Sequence, residues 1–105
     1  MELARLTERA REIRRRYAEL ETARRGRPWS NEELMQGFVG DVGDLMKLVM
    51  AKGGARNVDD VDQKLAHELA DCLWSVLVLA DTYGIDLEKE FLATMATLEK
   101  KLAQG

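Results

Sequence analysis

Residues 64–80 read KLAHELADCLWSVLVLA, and the order of helices around this stretch decides the fold. It starts as a one-faced amphipathic helix and becomes apolar on nearly every side. A helix that is apolar all round belongs in the middle of a structure, with other helices laid against it. Glu68 and Asp71 stand three residues apart within it, so both carboxylates leave one face about a turn apart. Acids at the mouth of a buried helix need a partner, because an unpaired buried carboxylate is strongly unfavourable unless its pKa shifts until it is neutral. A metal ion and basic side chains are the partners to weigh.

The rest of the chain is helical too. One proline and the lack of alternating Val/Ile/Thr runs argue against sheet. Residues 2–24 form a first helix, with Leu3, Leu6, Ala10, Ile13, Tyr17 and Leu20 spaced 3-4-3-4-3. That narrow seam packs on another helix or on its counterpart in a second chain. Gly26 and Pro28 break it. Ser30 then caps a second helix running to about Lys52, and Glu33 completes a capping box. Glycines at 37, 40 and 43 leave a bare stripe on that helix where a backbone or a ligand can come close, and Gly53-Gly54 ends it. After a polar loop at 55–61, Asp60 or Asp62 is placed to cap the third helix, which runs to Tyr83 and stops at Gly84. Asp86 caps a fourth, Leu87–Ala103, with Leu87, Phe91, Met95, Leu98 and Leu102 on one face. The expectation is an all-α fold, a single domain over 1–105. It has an arginine-rich segment at 1–25, and the motif-bearing helices lie within 29–103. Four helices with so apolar a third member make a bundle completed by a second chain, a dimer or tetramer.

Composition narrows the classes of function. Charged residues make up 33% and apolar ones 46%, with a net charge of −3, which suits a soluble globular chain. Met1–Arg16 is arginine-rich without an apolar core, so no signal peptide is expected. The longest apolar run, Val76–Ala80, is too short to span a bilayer. A cytoplasmic location is the default. Cys72 is alone and lies in the apolar helix, where a small core residue is expected. Arg5, Arg9, Arg11, Arg14, Arg15, Arg16, Arg24, Arg25 and Arg27 crowd the N-terminal quarter. They allow a nucleic-acid reading, which the acidic balance of the whole makes the weaker one.

The second helix carries its own acid pair, Asp41 and Asp44, again three apart. Two such pairs on neighbouring helices form an oxygen-only nest of the kind that Mg²⁺ or Mn²⁺ favours. Zinc is disfavoured by one His and one Cys in the chain. A di-iron site would need Glu-x-x-His pairs, whereas His67 adjoins Glu68. The bland alternative makes these acids surface charges paired with Lys47 and Lys64.

Asp41-x-x-Asp44, 23 intervening residues, then Glu68-x-x-Asp71 resembles the E-x-x-E…E-x-x-D signature of the MazG-like all-α nucleoside triphosphate pyrophosphohydrolases. GDVGDL at 40–45 stands where that family typically reads EEVGEL. HELADCLW at 67–74 matches the second half closely, and YGIDLEKEF at 83–91 is similar to the entry to the last helix. The similarity covers roughly residues 29–102. It implies hydrolysis of a nucleoside triphosphate to monophosphate and pyrophosphate. It also implies Mg²⁺, with Mn²⁺ as a substitute, held by Asp41, Asp44, Glu68 and Asp71. Asp44 and Glu68 are the catalytic candidates, since one acid can instead orient the attacking water. Lys100 or Lys101 on the last helix, together with Lys47 and Lys64, are candidates to meet phosphate. Trp29 or Trp74 is placed to stack a base, although Trp74 suits the core better. The chain departs from the family pattern at Gly40, where a ligand position has no side chain, and at two Asp where Glu is usual. Glu33, seven residues before Gly40 on the same face, is a distant substitute if the helix bends. The alternative function keeps the fold without the chemistry: a helical oligomer that binds nucleotide or a protein partner.

Overall fold

The computed structural model describes residues 2–55 and 57–105. Its elements are four α-helices, α1 (Glu2–Arg25), α2 (Asn31–Lys52), α3 (Val61–Thr82) and α4 (Leu87–Ala103), with no strand among the described residues. None of these helices is long and apolar enough to cross a membrane.

The helix ends follow local chemistry. Ser30 has an extended backbone and its Oγ accepts from the Glu33 N–H at 3.2 Å, while Glu33 Oε1 accepts from the Ser30 N–H at 2.9 Å. Two otherwise orphaned donors of α2 are thereby satisfied. Glu33 also takes Arg25 at 3.0 Å and Arg27 at 2.7 Å. Arg27, the Ser30 N–H and Arg25 together hold its carboxyl at about 2. Asp86 Oδ1 caps α4 by accepting from the Lys89 N–H at 3.2 Å. Gly26, Gly54 and Gly84, at the three breaks, have φ of +82°, +90° and +66°, a region that glycine enters without steric cost.

The start of α3 differs from the expectation. Asp60 occupies the N-cap position, yet its backbone is left-handed (φ 55°, ψ 39°) and its side chain makes no capping bond. A capping side chain needs the extended backbone that Ser30 has. Asp62 lies inside the helix and pairs with Lys52 across the loop at 2.6 Å. The glycine stripe also serves less than expected. Gly37 makes room for the Trp29 indole, whose Cζ3 lies 3.4 Å from where a Cβ would stand, but Gly40 and Gly43 face open space.

α3 is the centre: α1 and α2 both pack on it. Among the described residues, the buried side chains are Ala10 of α1 and, on α3, Cys72, Ser75, Leu77, Val78 and Ala80. Leu3, Leu34, Trp74 and Leu87 close around Ala10, Leu77 and Val78. The Trp74 Nε1–H donates to the Ala10 carbonyl at 3.2 Å, and its ring meets Tyr17 edge to face at 6.0 Å. Arg11 grips Asp81 with two bonds, Nε to Oδ2 at 3.0 Å and Nη2 to Oδ1 at 2.6 Å, tying α1 to the end of α3.

The single chain leaves much of its apolar surface uncovered. Its accessible area is 8072 Å², against about 6,000 Å² for a folded monomer of this mass. Its radius of gyration is 16.9 Å, against about 13 Å for a compact chain of this length. On α2, Met35, Val39, Val42, Met46 and Val49 are all exposed, and their 4-3-4-3 spacing is that of a helix-pairing seam. Phe91, Leu98 and Leu102 are exposed on α4.

The cap gives a direct test. Ser30→Ala should destabilise the protein by about 1 kcal/mol in chemical denaturation. Because Glu33 titrates lower in the folded chain than in the unfolded one, its contribution is present above the unfolded value near 4.5 and is lost as pH falls toward 2. Glu33→Gln should therefore melt below wild type at pH 7, and the two curves should converge between pH 4.5 and 2.

Candidate active site

Asp41 and Asp44 leave one face of α2 a turn apart, and Glu68 meets them from α3. One carboxylate oxygen from each lies within 4.8 Å of the others. Asp41 and Glu68 are half-buried and Asp44 is exposed. Glu68 Oε1 is buried with no hydrogen-bond partner. Burial first, then the charges of Asp41, Asp71 and Asp44, push the Glu68 carboxyl above the usual carboxylate range. Like charges so close repel unless a cation or a proton intervenes.

Asp71, the fourth acid of the pattern, stands outside this trio. It is half-exposed and its Oδ2 lies 3.1 Å from His67 Nε2, one turn back on the same helix. The i, i+4 spacing of His67 and Asp71 is a pairing the sequence contains, and it competes with the ligand role. Glu33 is unavailable as a substitute, since Ser30, Arg25 and Arg27 engage both its oxygens. Cys72 lies one residue beyond Asp71 but is buried, and burial together with the neighbouring acids pushes its thiol up. A protonated buried thiol is a poor nucleophile.

Two hollows border the acids. One of about 580 Å³ is lined by Asp44 and Glu68 together with Lys47, Lys64 and His67. The other, of about 410 Å³, takes Asp41 and Asp71 as one side and Tyr17, Trp29 and Trp74 as aromatic walls. Lys47, Lys64 and Trp29 thus stand beside the trio. Trp74 belongs to both the core edge and the aromatic hollow. Lys100 and Lys101 lie in the last turn of α4 and line neither hollow.

Six of the nine arginines between residues 5 and 27 are ion-paired among the described residues. Arg11 pairs with Asp81, Arg14 with Glu21, Arg15 with Glu12 and Glu19, Arg16 with Glu12, and Arg25 and Arg27 with Glu33. One acid of that group, Glu21, reaches the aromatic hollow. Sequence periodicity carries no signal for it, because its place depends on where the 26–30 link crosses α1.

Neither the curated proteins nor the solved structures searched include a match to this chain. Residues 29–103, from the link before α2 to the end of α4, match the MazG nucleotide pyrophosphohydrolase domain. With four helices in place and the acids of α2 and α3 facing each other, that match over well more than half its length makes the chain a member of the MazG nucleotide pyrophosphohydrolase family.

Proposed function

We propose that the protein hydrolyses a nucleoside triphosphate to its monophosphate and pyrophosphate, with Mg²⁺ or Mn²⁺ held by Asp41, Asp44 and Glu68. The observation that carries this reading is the buried, unpartnered Glu68 Oε1 among the acids of α2. A divalent cation turns that repulsion into attraction and gives the orphaned oxygen a partner. The donor set is carboxylate oxygen alone, which suits a hard cation. When bound, such a cation supplies charge neutralisation and Lewis acidity to the phosphates.

The chain's own groups set the direction of the substrate. Lys47, Lys64 and His67 line the hollow bordered by Asp44 and Glu68, so the phosphates lie there. Tyr17, Trp29 and Trp74 line the hollow bordered by Asp41, so the base lies on that side. Asp44 or Glu68 orients a water for attack at phosphorus and takes its proton, while the α–β anhydride bond breaks and pyrophosphate departs. Asp71 joins the acids by releasing His67. Lys100 and Lys101 meet phosphate only across an interface between copies.

A second copy of the chain is the proposed cover for the exposed seams of α2 and α4. The chain's surface exceeds that of a compact monomer by about 2,000 Å². That is the scale of an obligate homodimer's interface per partner. A reading without chemistry, nucleotide capture by the same oligomer, is favoured by Gly40 offering no acid and by Asp71 pairing with His67. Binding with no pyrophosphate release would select it.

Pyrophosphate release from a panel of ribo- and deoxynucleoside triphosphates with Mg²⁺ or Mn²⁺ tests the hydrolytic reading. Turnover of at least one is expected, and Asp41→Asn, Asp44→Asn and Glu68→Gln should each lower kcat/KM by on the order of 100-fold or more. Lys47→Ala and Lys64→Ala should act mainly on KM.

Light scattering should give a mass at least twice the 11.9 kDa of the chain. Val42→Glu with Met46→Glu should lower that mass if the α2 seam is the contact, and a monomeric wild type would contradict the interface.

A further inference from the structure

The aromatic hollow contains one charged side chain besides the acids at its mouth, Glu21 of α1. Its side chain is 15% exposed. The Trp29 N–H donates to Glu21 Oε1 at 2.7 Å, and Arg14 Nη1 donates to the same oxygen at 3.1 Å. Arg14 Nη2 in turn donates to the Trp29 carbonyl at 2.8 Å. Glu21 and Trp29 are thus fixed relative to each other by their own backbone and side-chain bonds, and Gly37 keeps the indole's far edge clear. Both bonds use Oε1, and Oε2 accepts none of the hydrogen bonds found among the described residues; the base reading takes Oε2 as the acceptor for whatever enters.

We propose that Glu21 selects the base, so that the substrates are nucleotides with an exocyclic amino group (cytosine, adenine or guanine) in preference to those of uracil or thymine. This rests on the reading that a nucleotide base occupies the hollow, and it adds the class of base. A carboxylate only accepts hydrogen bonds. Cytosine N4 and adenine N6 offer it a donor, and guanine offers N1–H and N2. Uracil and thymine present carbonyl oxygens at position 4, and their single N3–H is flanked on both sides by carbonyls that a carboxylate repels. In a pocket walled by aromatic rings, an acceptor facing an acceptor leaves both unpaired, and that loss is what gives hydrogen-bonding sites their selectivity.

Glu21→Gln separates this role from a structural one. The donors Arg14 and Trp29 N–H require the amide oxygen in place of Oε1, so the amide nitrogen takes the place of Oε2. The staple is kept while the free acceptor becomes a donor. Trp29 and Trp74, the chain's two tryptophans, both line the hollow and report on it. Quenching of their fluorescence by CMP and by UMP measures base binding without turnover, and kcat/KM for CTP and UTP measures it with turnover. Wild type is expected to bind CMP on the order of 10-fold more tightly than UMP. In Glu21→Gln, at an unchanged melting temperature, that ratio should fall to one or invert. Equal affinity in wild type, a ratio unchanged by Glu21→Gln, or no quenching by either nucleotide overturns the assignment. Selective binding without hydrolysis of any triphosphate of the panel would leave it standing while removing the hydrolytic reading, and hydrolysis of CTP and UTP at equal kcat/KM would remove the assignment alone.

Discussion

Glu68 Oε1 has no hydrogen-bond partner, and the carboxylates of Asp41 and Asp44 approach its side chain from the facing helix. Repulsion of this kind opposes the packing of α2 on α3, the contact from which the rest of the structure is built. Burial elsewhere on α3 offsets it. Cys72, Ser75, Leu77, Val78 and Ala80 are all buried on the helix that carries Glu68, and covering side chains the size of Leu77 and Val78 contributes about 1.5–3 kcal/mol each. The hydrophobic end of α3 thus holds its acidic end in a position that the acids alone would not choose. Such stored repulsion is what a divalent cation relieves.

The same economy explains the uneven covering of the molecule. A chain of this length has little apolar interior to spend on its own account, and here the buried apolar side chains among the described residues are Ala10 of α1 and Cys72, Leu77, Val78 and Ala80 of α3. The outer seam of α2 and the apolar stripe of α4 remain exposed in a single copy. The hollows beside the acids also depend on this arrangement. α1 contributes Tyr17 and Glu21 to one of them, and the loop before α3 contributes Val58 and Asp60 to the other.

The helices and their ends were legible in the sequence because caps are local. Ser30 with Glu33, Asp86 before α4, and the glycines at 26, 54 and 84 each act within a few residues. Asp60 was misread as a capping side chain because a backbone dihedral, which sequence does not state, removed the extended geometry. The acid pattern showed which carboxylates share a helix face. It could not show that His67 draws Asp71 aside, since both partners were present and rotamers decide between them. Glu21 carried no periodic or motif signal at all. Its position beside Trp29 arises from a bond between α1 and the link that follows it, a contact made only once the chain has turned at Gly26. The glycine stripe was visible as spacing, but its use was not: one glycine seats an indole and two face open space.

A titration of the metal-free protein with Mn²⁺, followed by the electron paramagnetic resonance of the free ion, probes the acidic trio without any nucleotide. The free-ion signal should fall as the protein takes up Mn²⁺, recover on addition of Mg²⁺, and stay undiminished with Glu68→Gln. A full free-ion signal over wild-type protein, or equal uptake by Glu68→Gln, would contradict the claim that the unpartnered Glu68 oxygen and the acids of α2 form a cation site.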